Sequence, residues 1–149
     1  MKKTSVIALV VGVVLTLGAC SPQGLPPVSS TVLLDKADTT VLGDDFSYPG
    51  AENPEITSSI VRLEAGAQTG WHLHEAPMYA YILEGTLEVT YDVEGVMVTK
   101  TYEQGDAIME GLDTPHIGKN LTNRPVSILV VNMGSSDIAN SVPLDAPEQ

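Results

Sequence analysis

Gly66-Ala67-Gln68-Thr69-Gly70-Trp71-His72-Leu73-His74-Glu75-Ala76-Pro77-Met78-Tyr79-Ala80-Tyr81-Ile82-Leu83-Glu84-Gly85 holds two of the chain's three histidines, His72 and His74, one residue apart. On an extended strand alternate side chains face the same way, so these imidazoles share a face about 7 Å apart along the strand. Two ring nitrogens so placed can reach one metal ion, which each must approach to about 2.1 Å. The third histidine, His116, follows a turn reading Glu110-Gly111-Leu112-Asp113-Thr114-Pro115. All the histidine in the chain is thus gathered into two short segments able to build one site.

Working outward, the flanks read as short strands. After Gly85, the residues Leu87, Val89, Tyr91 and Val93 alternate with Thr86, Glu88, Thr90 and Asp92, the period-two pattern of a half-buried strand. Glu94-Gly95 reads as a turn, and Val96 to Tyr102 returns as the other arm of a hairpin. Asp106 to Glu110 and His116 to Asn120 are expected as short strands around the second turn, and Val126 to Asn132 as a last apolar strand. Upstream, Thr31 to Asp35, Thr39 to Leu42 and Thr57 to Leu63 are strand candidates, with an acidic, turn-rich loop over 43–54. Beyond residue 19, apolar residues nowhere recur at helical spacing over ten positions, and no internal repeat appears. The reading is one all-β domain, a barrel or double-sheet jelly roll. Gly85 and Gly105 are expected at turns needing positive φ or close backbone approach.

The spacings around the histidines resemble those of the cupin superfamily of small β-barrels. Its first motif runs Gly, five residues, His-x-His, three or four residues, Glu, six residues, Gly. Gly66, His72-Leu73-His74, Met78 and Gly85 stand at those intervals. The second runs Gly, five residues, Pro-x-Gly, two residues, His, three residues, Asn, and is matched by Gly105, Gly111-Leu112-Asp113, His116 and Asn120. Met78 stands where the family has its carboxylate ligand, Gly111 where it has Pro, and Asp113 where it has Gly. The resemblance implies a cupin double-stranded β-helix over residues 31–133, followed by an extended tail over 134–149. It also implies that dimers are common among relatives, so a homodimer is one expected assembly, and that oxygen chemistry at an all-histidine iron site has precedent.

Three neutral imidazoles around one cavity suit one divalent transition metal, Zn, Fe, Cu, Ni or Mn, with open positions for water or substrate. Met78 reads as an apolar wall, with a weak thioether ligand as the alternative. By strand parity Ala80 and Ile82 share its face, while Tyr79 and Tyr81 face away. Such a lining points to a small, largely non-ionic organic ligand. Arg62, Lys100, Lys119 and Arg124 are expected in solvent. Glu75 and Glu110 are the nearest carboxylates, either able to act as base or to replace the missing ligand if turned inward; Glu75 starts outward by parity. Asn120 has two roles open to it, orienting a ligand or satisfying backbone groups of the barrel. Trp71 stands either at the pocket rim or in the packing. Without a carboxylate at position 78 the site is expected to carry one negative charge fewer than its relatives. Metal affinity is expected to fall below about pH 6 as imidazoles protonate. Three readings fit: a metal-dependent enzyme acting on a small organic molecule, with dioxygenase-like chemistry ahead of isomerase or lyase activity; a non-catalytic module holding a small molecule or a metal in the same cavity; or a structural barrel with no ion.

The N-terminus sets location. Lys2-Lys3 precede an apolar run from Val6 to Leu17, then Leu17-Gly18-Ala19-Cys20. A basic start, a short apolar core and small residues before a cut mark a secretory signal peptide, here residues 1–19. The ending resembles a bacterial lipobox, which implies lipid attachment at Cys20 and a lipoprotein facing the periplasm or the cell surface. Residues 20–30, with Pro22, Pro26 and Pro27, read as a flexible linker. Cys20 is the only cysteine, so no disulfide braces the domain. Cleavage leaves 130 residues, with five basic against 19 acidic and a net charge of −14. Such a surface excludes nucleic acid as a partner and confines membrane contact to the acyl chains.

Overall fold

The computed structural model describes residues 39–45, 48, 50 and 53–147. The expected leader, Cys20, the linker and the strand expected over 31–35 lie outside them. Strands run β1 (Pro54–Leu63), β2 (His72–Leu73), β3 (Met78–Glu84), β4 (Thr86–Val93), β5 (Val96–Glu103), β6 (Ala107–Met109), β7 (His116–Lys119), β8 (Val126–Ser135) and β9 (Val142–Pro143), and no helix occurs among the described residues. One sheet has the order β1-β8-β3-β6, the other β5-β4-β7-β2-β9, with antiparallel pairing throughout. This is the all-β, two-sheet jelly-roll arrangement that the motif spacing implies.

The period-two reading of β4 holds as far as Tyr91: Leu87, Val89 and Tyr91 are buried and their alternates are not, while Val93 at the strand end is only half-buried. These side chains meet Met78, Ala80 and Ile82 of β3, Ile108 of β6, and Val126 and Ile128 of β8 in a core between the sheets. Each large apolar side chain withdrawn there contributes about 1.5–3 kcal/mol. The β4–β5 hairpin turns through Glu94 and Gly95, both at positive φ, the backbone that a two-residue turn needs to match strand twist. Gly85 separates β3 from β4 with φ +85°, and a Cβ there would stand 2.6 Å from the Pro125 carbonyl oxygen. Only glycine serves at that position.

Three segments depart from the sequence reading. β1 starts at Pro54 rather than Thr57, and β8 runs on to Ser135, because the two pair without a break from Pro54↔Ser135 to Leu63↔Val126. Residues 54–56 are exposed, so no burial alternation announces the extension. The strand expected over Thr39–Leu42 is reduced to a single bridge, Thr39↔Asp45, since Gly43 N–H bonds the Thr40 carbonyl and closes a turn. Residues assigned to the tail supply both the end of β8 and strand β9, which pairs with β2.

Candidate metal centre

Cross-strand register builds the site. Tyr91 of β4 faces His116 of β7, His116 faces His72 of β2, and His72 faces Pro143 of β9, one continuous row across the larger sheet. His74 lies just beyond β2, bridged to Leu112, and its carbonyl accepts from Asp113 N–H at 2.9 Å. Asp113 has φ +53°, a conformation that Asp tolerates better than most residues, which explains how it serves in the slot where the motif has Gly. Ring centroids lie 4.3 Å apart for His72–His116, 5.1 Å for His72–His74 and 5.2 Å for His74–His116. One nitrogen from each ring lies within 4.8 Å of the other two.

The tautomers are set by the backbone. His72 Nδ1 bonds the Gly70 carbonyl at 3.0 Å, His116 Nδ1 the Thr114 carbonyl at 2.8 Å, and His74 Nδ1 the Asn140 carbonyl at 2.6 Å. A carbonyl only accepts, so each Nδ1 must carry the proton, and each neutral ring presents a bare lone pair at Nε2. His74 Nε2 is buried with no hydrogen-bond partner. Burial of an acceptor without a donor costs on the order of 1–3 kcal/mol. Burial also holds His74 and His116 down to about 4, by stripping solvation from the charged form; their backbone bonds oppose that, and the neighbouring rings add to it. Both rings are therefore neutral at pH 7, the form that ligates metal. Three Nε2 lone pairs converging at this spacing, one of them orphaned, fit a divalent transition metal.

The opposite sheet forms the wall in successive rows. Thr57, Asn132 and Met78 stand in register, followed by Ser59, Val130 and Ala80, then Val61, Ile128 and Ile82. Polarity falls along the rows. Together with the triad they bound a cavity of about 430 Å³, within the range of small-molecule sites. Met78 and Ala80 line it, whereas Ile82 shares their face but is fully buried in the core. Trp71 lines the cavity and is half-buried.

Asn120 takes the second of its two roles. Fully buried, its Nδ2 donates to the carbonyls of Leu63, Glu64 and Arg124, and its Oδ1 accepts from Thr122. It does not line the cavity. Glu75 is exposed. Glu110 is not: it is 7 % exposed, lines the cavity, and places Oε2 4.0 Å from His116 Nε2 while Oε1 accepts the Gly111 N–H at 2.9 Å. Burial pushes its carboxyl above the usual range, against the pull of Tyr91 and Gly111 hydrogen bonding and of the histidines. The expected deficit of a carboxylate beside the triad is thus corrected: Met78 brings none, and Glu110 brings one from the neighbouring strand end. Tyr91 connects outward, its hydroxyl 3.2 Å from that of half-buried Tyr102. Burial pushes the Tyr91 hydroxyl far up and that of Tyr102 up to about 12.

Sequence reasoning did not assign Tyr91, Asn132 or Asn140 to the site. The parity of β4 does place Tyr91 on the buried face, whereas nothing local marks Asn140, 66 residues from the ring that it holds.

Residues 59–132 match the model of the cupin domain family. Among solved structures the chain is similar to a Lactobacillus farciminis oxalate decarboxylase in a formate complex, at 21% identity over 60% of this chain and 26% of that one, TM-score 0.53. It is similar also to a Bacillus subtilis oxalate decarboxylase variant, at 25% identity over 60% and 24%, TM-score 0.54. An oxalate oxidase aligns at 16% identity over 60% and 46%, TM-score 0.52. The chain spans about a quarter of the length of these decarboxylases. No curated protein matches it.

Proposed function

Residues 59–132 of this chain belong to the cupin superfamily, and from that premise we propose that it binds one divalent transition metal (Zn, Fe, Cu, Ni or Mn) through Nε2 of His72, His74 and His116, and acts as a metal-dependent enzyme on a small organic molecule. The observation that carries this reading is the fixed tautomer of all three rings, which leaves three lone pairs pointing inward and His74 Nε2 unpartnered. Bound there, the metal would supply Lewis-acid or redox activation to a ligand in the adjoining cavity. The chain's own part is to hold His74 and His116 neutral, exclude water with the Ala80, Val130 and Ile128 rows, and offer Thr57, Ser59 and Asn132 as hydrogen-bond partners.

The oxalate enzymes that share the fold act on a dianion. No Lys or Arg lines this cavity among the described residues, and its one acidic side chain is Glu110. A dicarboxylate would find no cationic side chain there and would have only the metal itself to neutralise it. The lining therefore supports a neutral or weakly polar ligand, and dioxygenase-like chemistry ahead of oxalate turnover. On the sequence alone, export and lipid attachment at Cys20 complete the proposal, placing the domain in the cell envelope.

Elemental analysis of protein purified without a metal-binding tag tests the core of it. One equivalent of metal is expected, lost in His72→Ala and in His116→Ala. Absence of metal in the unsubstituted protein under every supplement defeats the reading. Oxygen uptake with neutral phenols and diketones, alongside oxalate consumption, then separates an enzyme from a metal holder and tests the ligand class.

A further inference from the structure

Glu110 is the one acidic side chain on the cavity wall among the described residues. Its backbone N–H donates to the Met78 carbonyl at 3.0 Å, so it stands beside Met78 at the end of the β3–β6 ladder, one step past the pair Tyr79↔Met109. One carboxylate oxygen is tied to Gly111 N–H. The other, Oε2, faces His116 Nε2 at 4.0 Å, too far for a hydrogen bond. With His116 Nδ1 donating to Thr114, Nε2 is an acceptor, and an ionised Oε2 is an acceptor too. Two acceptors thus face each other on the cavity wall, the Tyr91 hydroxyl hydrogen-bonding the carboxylate from one side, and a shared cation would satisfy both. Two atoms bonded to one ion at about 2.1 Å each stand no more than about 4.2 Å apart, and 4.0 Å falls inside that span.

We infer that Glu110 is a fourth ligand of the metal held by the triad, a carboxylate delivered from the β6 end in place of the one that Met78 does not supply. The inference rests on the triad being a metal site. Three neutral imidazoles and one carboxylate give the loaded site a net charge of +1 and shift its preference toward harder ions such as Mn(II). The hydrogen bond from Gly111 and the neighbouring Tyr91 hydroxyl hold the carboxylate in place.

The test uses the full chain, stripped with a chelator and titrated with Mn(II) and with Zn(II), the loss of the free Mn(II) paramagnetic signal reporting binding. Glu110→Gln keeps an oxygen able to accept from Gly111, so metal-free thermal unfolding should stay near that of the unsubstituted protein. Mn(II) affinity should fall about tenfold or more, and Zn(II) affinity by a smaller factor. Mn(II) affinity unchanged in folded Glu110→Gln overturns the assignment while leaving the triad intact. Failure of the unsubstituted protein to bind either ion defeats the metal reading itself. A measurement on the unsubstituted chain needs no variant: protein labelled with ¹³C at glutamate carboxyls and loaded with Mn(II) should show ¹³C hyperfine coupling from a directly bonded carboxylate. Its absence overturns the inference.

Discussion

Acidifying the metal-free domain should destabilise it through His74 and His116. Both rings have folded values near 4 against an ordinary 6.5. Below 6.5 the unfolded chain takes up protons that the folded chain refuses, so stability falls with pH until about 4, where the folded rings protonate as well. Between pH 7 and pH 5 each ring accounts for a loss of about 2 kcal/mol, about 4 kcal/mol for the pair. That is a large share of a typical domain stability of roughly 5–15 kcal/mol. Glu110 works in the opposite sense, because its raised value means that acid relieves the cost of burying the charge. The figure of 4 kcal/mol is therefore an upper one. Urea unfolding at pH 7 and pH 5 measures the effect, and a His74→Leu/His116→Leu double variant controls for the acidic surface. The unsubstituted domain should lose more stability than the variant on going to pH 5. Equal losses in the two proteins would refute the burial argument. The same burial keeps these two rings neutral to about pH 4 in the metal-free domain.

Asn120→Ala should cost about 3 kcal/mol or more in denaturant titration, since three carbonyls lose the donor that they share. Metal stoichiometry per folded molecule should not change, and its loss in a folded variant would return Asn120 to the site. Met78→Glu should tighten Mn(II) binding, by a larger factor in a Glu110→Gln background than in the unsubstituted protein, because adjacent carboxylates repel. Equal factors in both backgrounds, read by the same titration, would show that positions 78 and 110 do not address one ion.

The strands that alternate cleanly were legible because burial alternates with them. β4 has one face in the core and one outside, and its sequence says so at every second residue. β1 has ten residues of which eight are exposed or nearly so at its start, and its length is set by β8, a partner that no local pattern names. The three histidines were legible as a set because motif spacing carries register information. The departures at Met78 and Gly111 were visible but unconnected in the sequence. Only the folding of β6 against β3 brings Glu110 beside Met78 and turns the Gly111 N–H onto that carboxylate; a proline at 111 would have no hydrogen to give. Asn140 was illegible for the same reason: its contribution is a backbone oxygen, which has no residue-type signature.

Two of the three rings lean on carbonyls two residues back, whereas His74 leans on Asn140. Two lone pairs are thus aimed by local turns, and the third by polypeptide 66 residues away. A chain truncated ahead of residue 140 would lose β9 from beside β2 and let one imidazole swap its proton between nitrogens, a half-finished claw with a weakened grip.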